Sequence, residues 1–227
     1  MQKPRNKQSR LKKLLILLAL LAGLGLIGYA CWTFWQQYKT THNPKPVVTR
    51  SVITHSTETP DETKPTEDCS NYKVDGHYPE RISIPTIGVD ACIERASIDQ
   101  HGAIAVPDNI YTTAWYVHSE LPGQPGLSVI DGHISGFYNK DGVFQHLDQL
   151  KPGDAFTVEL GSGEVLNYRV KDERSVPLGD AVEVLLAHAP TTESQLNLIT
   201  CGGEYDKKTK LYDHRIIVSA ALVRDDE

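Results

Sequence analysis

The sequence has few of the residues on which several common kinds of protein site depend. It contains only four cysteines, and its nine histidines show no spacing typical of metal ligands, so no bound metal is expected. It also has no glycine-rich loop followed by lysine in P-loop form, which excludes that kind of nucleotide site. We therefore predict neither a metal nor a cofactor.

Acidic residues are absent from the first 13 residues, which hold six of the 23 basic residues. The rest of the chain contains all 29 acidic residues and carries a formal net charge of −12. Binding to nucleic acid requires a basic face that neutralises phosphates. An acidic outer portion therefore argues against a nucleic-acid partner.

Charged residues are also absent from the leucine-rich run between Leu14 and Trp32. A membrane-spanning helix requires about 20 apolar residues, and this run is close to that length. Aromatic residues typical of the membrane interface lie at the end of the run, at Trp32, Phe34, Trp35 and Tyr38. The basic residues before the run predict a cytoplasmic N-terminus and an outer C-terminal portion. The alternative is a signal peptide cleaved near Ala30.

These patterns divide the chain into four parts. Residues 1–13 are predicted to be a basic cytoplasmic tail, and 14–35 a single transmembrane helix in the cell membrane. Residues 36–76 are predicted to be a flexible extracytoplasmic stalk, because Thr40 to Thr66 contains eight threonines and four prolines with little apolar periodicity. Residues 77–227 are predicted to form an extracellular folded domain that stays folded when residues 1–76 are removed.

The outer domain has the pattern of a mainly β protein. Short segments of alternating or apolar residues are separated by turn residues such as those of KPGD and GSG. Seven such segments predict strands: RISIP, AIAVP, GLSVIDGHI, AFTVEL, EVLNYRV, QLNLITC and HRIIVSAALV. Helical pattern is limited to GVFQHLDQL and DAVEVLLAH. Many short strands favour a closed barrel or a sandwich.

Three cysteines lie in the predicted outer portion, where disulfides are permitted. Cys69 and Cys92 flank the first strand and could pair, which would leave Cys201 as a free thiol. A free cysteine is most often a small core residue. At the end of an apolar strand and before two glycines, however, Cys201 could also be a nucleophile.

A cysteine nucleophile needs a base or a cation that favours the thiolate, and a donor that stabilises the oxyanion. Arg215 begins the apolar strand that follows Cys201 after one polar loop, so a hairpin would bring the two side by side. His133 ends another strand much earlier in the chain, and its distance in sequence from Cys201 does not by itself locate it. Arg169 and Arg174 are alternative arginines near later strands.

The residues around these positions resemble the sortases, the membrane-anchored cysteine transpeptidases of Gram-positive-type bacteria. The resemblance covers roughly residues 81–223. It is carried by five segments: RISIPTIGVDACI, AWYVHSELPGQPG, VIDGHI, VFQHLDQLKPGD and NLITCGG. The last departs from the family's T-L-x-T-C pattern, with Asn197 in place of the leading threonine. The sequence is most similar to sortases of classes E and F and then to those of class D. No aspartate-proline-aromatic lid motif precedes the domain.

The resemblance implies a closed eight-stranded sortase β-barrel and a reaction. Cys201 would attack an LPXTG-like sorting signal at the C-terminus of a secreted protein and form a thioacyl enzyme. An amine, such as a peptidoglycan precursor or a pilin lysine, would resolve it. His133 would be the general acid and base, Arg215 would hold substrate and stabilise the oxyanion, and Thr200 would line the substrate groove.

Three other expectations depend on the same segments. Gly202 and Gly203 are expected to be glycines because substrate passes close to the backbone. Asp131 could orient His133, although a place in a solvated turn is the simpler expectation. A β domain that only displays a binding surface, or a cysteine hydrolase that releases its product to water, would be the alternative functions.

Overall fold

The computed structural model describes residues 25, 28–30, 32–33, 51–65, 69, 74–187 and 193–223. The chain divides into two compact units, Met1–Pro46 and Val47–Glu227. The described residues of the first unit are helical. Within the described part of the chain, no helix is long and apolar enough to cross a membrane. The predicted basic tail and most of the predicted span lie outside the described residues.

Eight strands form a closed barrel in the second unit, in the order β1-β2-β3-β4-β7-β8-β6-β5. This confirms the predicted fold. The strands are β1 (Pro79–Ile84), β2 (Val89–Ala96), β3 (Thr113–Tyr116), β4 (Gly126–Gly132), β5 (Ala155–Leu160), β6 (Val165–Pro177), β7 (Ser194–Asp206) and β8 (Leu211–Leu222). The short helices between them are α1 (Ala181–Leu185) and two 3₁₀ turns, Pro85–Ile87 and Leu147–Gln149.

Six of the seven predicted strand segments form strands, and two strands are absent from the prediction. β2 is buried on both faces over most of its length, so its sequence does not alternate. β3 has only four residues, of which three are buried. The predicted strand at Ala103 to Pro107 is wrong, because that segment forms only an isolated bridge between Ile98 and Ile104. A proline at its end has no N–H for a ladder.

Alternate residues of each strand face the interior and the exterior of the barrel. The interior is filled by a large apolar cluster that includes Ile130, Leu198 and Val218. A second cluster lies on the exterior face, where Val129 of β4, Ile199 of β7 and Ile217 of β8 pack with Leu185 of α1. Because side chains alternate with period two, residues 131, 201 and 215 share this exterior face.

Part of the predicted stalk packs against the barrel. We call residues 51–65 the N-terminal segment. Its composition lacks apolar periodicity. A segment that attaches through backbone hydrogen bonds needs few apolar side chains, and Ile53 is the residue of this segment that is buried. Four backbone hydrogen bonds join it to the domain: Ile53 N to Arg95 O, Ser97 N to Ile53 O, Asp61 N to Asp108 O, and Ile110 N to Asp61 O.

A disulfide joins Cys69 to Cys92 in β2, which confirms the pairing considered from the sequence. Both cysteines are buried. Among the cysteines that the structure describes, Cys201 is the free one. The third cysteine of the outer portion, which has no disulfide partner, is therefore Cys201, at the end of the buried half of β7.

Candidate active site

The site is built where three neighbouring strands, β4, β7 and β8, approach one end of the barrel. Cys201 of β7 lies directly opposite Arg215 of antiparallel β8. On the other side, β4 runs parallel to β7 with Asp131 opposite Ile199. β4 ends at Gly132, and His133 follows directly in the chain. The sheet thus places a thiol opposite a guanidinium, and the imidazole follows the end of the strand on the other side of β7.

The Cys201 thiol is partly buried, and three effects act on its pKa. Burial raises the pKa most, because a thiolate is poorly solvated there. The positive charge of Arg215 lowers it, and Asp131 raises it. In the free protein the thiol form is therefore favoured, and Arg215 is the neighbour that favours the thiolate.

His133 is held by the loop before β3. Its Nε2 atom lies 2.7 Å from the carbonyl oxygen of buried Pro107. A carbonyl oxygen only accepts hydrogen bonds, so Nε2 carries the proton and the neutral ring has its lone pair on Nδ1. Burial lowers the pKa of His133, while the bond to Pro107 and the charge of Asp108 raise it. Neutral imidazole is therefore favoured, with Nδ1 as its basic atom.

Arg215 is oriented by its own strand. Its Nη1 atom donates to the carbonyl oxygens of His214 at 2.9 Å and Tyr212 at 3.3 Å. The alternative arginines lie elsewhere on the barrel. Arg169 donates to the carbonyl of Gly153, and Arg174 forms an ion pair with Asp172. Of these three arginines, Arg215 is the one level with Cys201.

Thr200 faces the interior of the barrel and not the face that carries Cys201. It is only 1% exposed, and its hydroxyl donates to the carbonyl oxygen of Gly132 at 2.7 Å. This bond joins β7, at the residue before Cys201, to β4, at the residue before His133. Contact with substrate stays a prediction for Thr200, while the bond itself ties the two strands that carry the thiol and the imidazole.

The two glycines after Cys201 have a reason within the domain. A Cβ atom on Gly202 would lie 2.8 Å from the Ile216 side chain. Gly203 has a φ of +77°, and a Cβ there would overlap Asp213 Oδ1. The pairing of β7 and β8 also shifts register between Gly202 and Tyr205. Close packing and a bulge thus account for the glycines within the domain, and the approach of substrate to them stays a prediction.

Asp131 does not lie in a solvated turn, which corrects the simpler expectation for this residue. It is within β4, on the face shared by Cys201 and Arg215, and its Oδ1 atom is buried without a hydrogen-bond partner among the described residues. Burial raises the pKa of Asp131 to about 8, and Arg215 opposes that rise. Local sequence suggested a turn here because aspartate-glycine is a common turn pair.

The N-terminal segment contacts the loops that surround this end of the barrel. The Glu62 carboxylate accepts from the backbone N–H of Tyr138 at 2.8 Å, in the loop after His133. Glu58 pairs with Lys210 at 2.7 Å, in the turn between β7 and β8. Within residues 51–65, 74–187 and 193–223, no cluster of three or more histidine, cysteine or acidic side chains could hold a metal ion.

A closed eight-stranded barrel with a partly buried thiol opposite a guanidinium is an arrangement suited to cysteine chemistry. Comparison with protein families is more specific. The Sortase domain model matches residues 82–223, which is more than half of the chain. The chain belongs to the sortase family, whose members are cysteine transpeptidases. No curated protein sequence matches the chain.

Solved structures similar to this chain are also sortases. A lid mutant of sortase A from Corynebacterium diphtheriae is 23% identical over 68% of this chain and 74% of that chain, with a TM-score of 0.50. Sortase C2 of pilus island 1 from Group B Streptococcus is 20% identical over 71% and 83%, with a TM-score of 0.50. Sortase C-1 from Actinomyces oris is 28% identical over 64% and 73%, with a TM-score of 0.47. The first two similarities show a shared fold, and the subclass of this chain stays a prediction.

Proposed function

We propose that this chain is a membrane-anchored cysteine transpeptidase that cleaves an LPXTG-like sorting signal through a thioacyl intermediate on Cys201. The observation that carries the proposal is the strand register. Cys201 lies opposite Arg215, and β4, which pairs with β7 on its other side as far as Asp131, leads directly into His133. A protein that only displays a binding surface does not require a nucleophile, a base and a cation near one end of its barrel.

In the first half of the reaction, His133 removes the Cys201 proton through Nδ1. The Sγ atom then bonds to the carbonyl carbon of the threonine-glycine peptide bond. Arg215, which lies opposite Cys201 on β8, stabilises the negative charge that develops on the carbonyl oxygen. The carbon–nitrogen bond breaks, the imidazolium gives its proton to the leaving amine, and a thioester remains on Cys201.

In the second half an acceptor amine attacks the thioester carbonyl. His133, neutral again, accepts the proton that the amine loses, and the Cys201 sulfur leaves as thiolate. The thiolate then takes the proton back from the imidazolium. A thioester is more reactive toward amines than an amide is, so one difficult exchange becomes two easier ones.

The partners and location follow from the same chemistry. The donors are secreted proteins with a C-terminal LPXTG-like signal, and the acceptor is an amine such as a peptidoglycan precursor or a pilin lysine. We place the enzyme in the cell membrane with a cytoplasmic N-terminus and an extracellular catalytic domain. The Cys69–Cys92 disulfide supports an oxidising compartment, since such bonds are rare in the cytosol.

The test is intact-mass spectrometry of the full-length protein with an LPXTG-like peptide, with and without a glycine-based amine. We expect a thioacyl adduct that disappears faster when the amine is present, and no adduct on Cys201→Ala. Release at the same rate with and without amine would support a hydrolase instead. An adduct that never forms, or that forms equally on Cys201→Ala, would contradict the proposal and favour a binding surface.

A further inference from the structure

A second titratable side chain on the face of Cys201 has no part in the reaction described above. Asp131 lies on the exterior face of β4, opposite Ala114 of β3 and Ile199 of β7. Cys201 is two residues beyond Ile199 on the same strand, so Asp131 and Cys201 are diagonal neighbours on one face. His133 follows two residues later, directly after the end of β4.

The Asp131 carboxyl group is in an environment that does not favour its charge. Its Oδ1 atom is buried and, among the described residues, has no hydrogen-bond partner. The cation that acts on it is Arg215, whose Nη1 atom is bonded to two carbonyl oxygens of its own strand. A buried carboxylate without donors is costly, so the neutral acid is favoured.

The other charged and titratable groups around this face are few. They are Glu94 of β2, which is level with Asp131 across Ala114, His133 directly after β4, Cys201 of β7, Arg215 of β8, and Asp108 of the loop that holds His133. Arg215 is the cation whose charge acts on both Asp131 and Cys201, so the two side chains compete for its influence.

We propose that Asp131 is a positioning residue that sets the charge state of the nucleophile: as a neutral acid it permits the Cys201 thiolate, and as a carboxylate it suppresses it. The inference extends the proposed role of Cys201 as the nucleophile. Burial raises the pKa of Asp131 to about 8 and also raises the pKa of Cys201 above its ordinary value, so the carboxyl group is already losing its proton as the pH approaches the ionisation of the thiol. The two ionisations oppose each other, since each adds a negative charge to the same face.

The size of the effect follows from Coulomb's law. Diagonal neighbours on a sheet are roughly 7 Å apart, and at an effective dielectric constant of about 20 two like charges at this distance change an ionisation constant by roughly fiftyfold. Asp131→Asn keeps the shape of the side chain and removes the charge. The rate of Cys201 alkylation at pH 8.5 should therefore rise several-fold in that variant.

The experiment measures alkylation of Cys201 by iodoacetamide between pH 5 and 11 in the full-length protein, followed by the mass of the Cys201 peptide. The proteins are the wild type, Asp131→Asn and Asp131→Ala, with Asp180→Asn as a matched exposed control. We expect the alkylation midpoint to move to lower pH in both Asp131 variants and to stay unchanged in Asp180→Asn. Coincident profiles of the wild type and Asp131→Asn would overturn the proposal.

The wild type alone provides a second test if the variants do not fold. Two coupled ionisations give a profile broader than a one-proton curve on its alkaline side. A wild-type profile that fits a single proton above pH 7 would also overturn the proposal. Because alkylation needs no sorting peptide, its result is independent of whether transpeptidation occurs. Where it does occur, Asp131→Asn should shift the pH profile of kcat and leave KM unchanged.

Discussion

The Nε2 atom of His133 donates a hydrogen bond to the carbonyl oxygen of Pro107 at 2.7 Å. This bond orients the imidazole from the side away from its basic nitrogen, a task that a carboxylate performs in many catalytic triads. Here a backbone carbonyl does it, so the orienting group cannot be lost by changing one side chain. The loop at Pro107 to Ile110 is in turn bonded to the N-terminal segment.

His133 and Arg215 should each be needed for turnover, whereas the arginines elsewhere on the barrel should not. We expect His133→Ala and Arg215→Ala each to reduce the rate of peptide transfer, by on the order of a hundred- to a thousandfold, because each removes a group that acts in the transition state. Arg169→Ala and Arg174→Ala are the matched controls and should keep near-normal rates. A large loss in a control with a normal Arg215→Ala would show that the arginine is misassigned.

The boundary of the active domain should lie before the N-terminal segment. The sequence alone predicted that removal of residues 1–76 would be harmless, but this truncation removes Cys69 and every bond made by residues 51–65. We expect a protein that begins at residue 47 to retain the Tm and turnover of the full chain, and one that begins at residue 77 to lose both in part. Equal Tm and turnover for the two truncations would contradict this prediction.

The disulfide should contribute strongly to stability. Cys69 and Cys92 are separated by 23 residues, and closing a loop of that size stabilises a fold by roughly 3 kcal/mol in the chain-entropy model. Cys69→Ser with Cys92→Ser should lower the free energy of unfolding by about that amount in urea titrations. In the native, unreduced domain, thiol labelling should mark Cys201 and not Cys69 or Cys92. Labelling of Cys92 in the folded domain would argue against the bond.

The glycine at the bulge after the nucleophile should not tolerate a side chain. Gly203→Ala introduces a Cβ that would overlap Asp213 Oδ1, at a positive φ that L-residues rarely adopt. We expect a loss of about 1–3 kcal/mol in the free energy of unfolding. Gly179→Ala, where a Cβ meets open space at an ordinary φ, is the control and should change little. Similar losses in both would show that close packing at position 203 is not the cause.

The pH dependence of stability should carry the signature of Asp131. Its pKa is about 8 in the folded protein, above the unfolded value of about 4, so its contribution is fully present below pH 4 and is lost as the pH rises toward 8. Asp131→Asn should therefore raise Tm relative to the wild type at pH 8 more than at pH 4. The lowered pKa of His133 destabilises both proteins equally below about pH 6.5, so the difference isolates Asp131. A difference in Tm that does not vary with pH would refute this.

Local pattern was sufficient for the part of the site that lies within one hairpin. Cys201 and Arg215 lie on adjacent antiparallel strands, and strand periodicity with the single polar turn between them predicts their pairing. His133 is different, because its place depends on the parallel pairing of β4 with β7, two strands that β5, β6 and α1 separate in the sequence. No spacing in the sequence encodes that pairing, so the resemblance to sortases was needed to choose this histidine.

The other differences between the structure and the sequence predictions also arise from contacts between residues that are distant in sequence. β2 is covered on both faces and lacks the alternation that identifies a half-buried strand. The N-terminal segment is held chiefly by backbone bonds, which leave little trace in side-chain composition. Asp131 belongs to a strand only because β3 and β7 lie on its two sides.

The N-terminal attachments determine how the domain would carry tension. A pull on the chain before residue 51 would first load the backbone bonds of the N-terminal segment, which can separate one at a time. The load would next reach Cys69 and pass through the covalent bond into β2, between its neighbours β1 and β3. The covalent bond bypasses the chain between Cys69 and Cys92, including β1, and β7 and β8 would be loaded only through the exposed Glu58–Lys210 pair at their turn. Tension applied before residue 51 would thus act mainly on β2 and leave the strands that hold Cys201 and Arg215 largely unloaded.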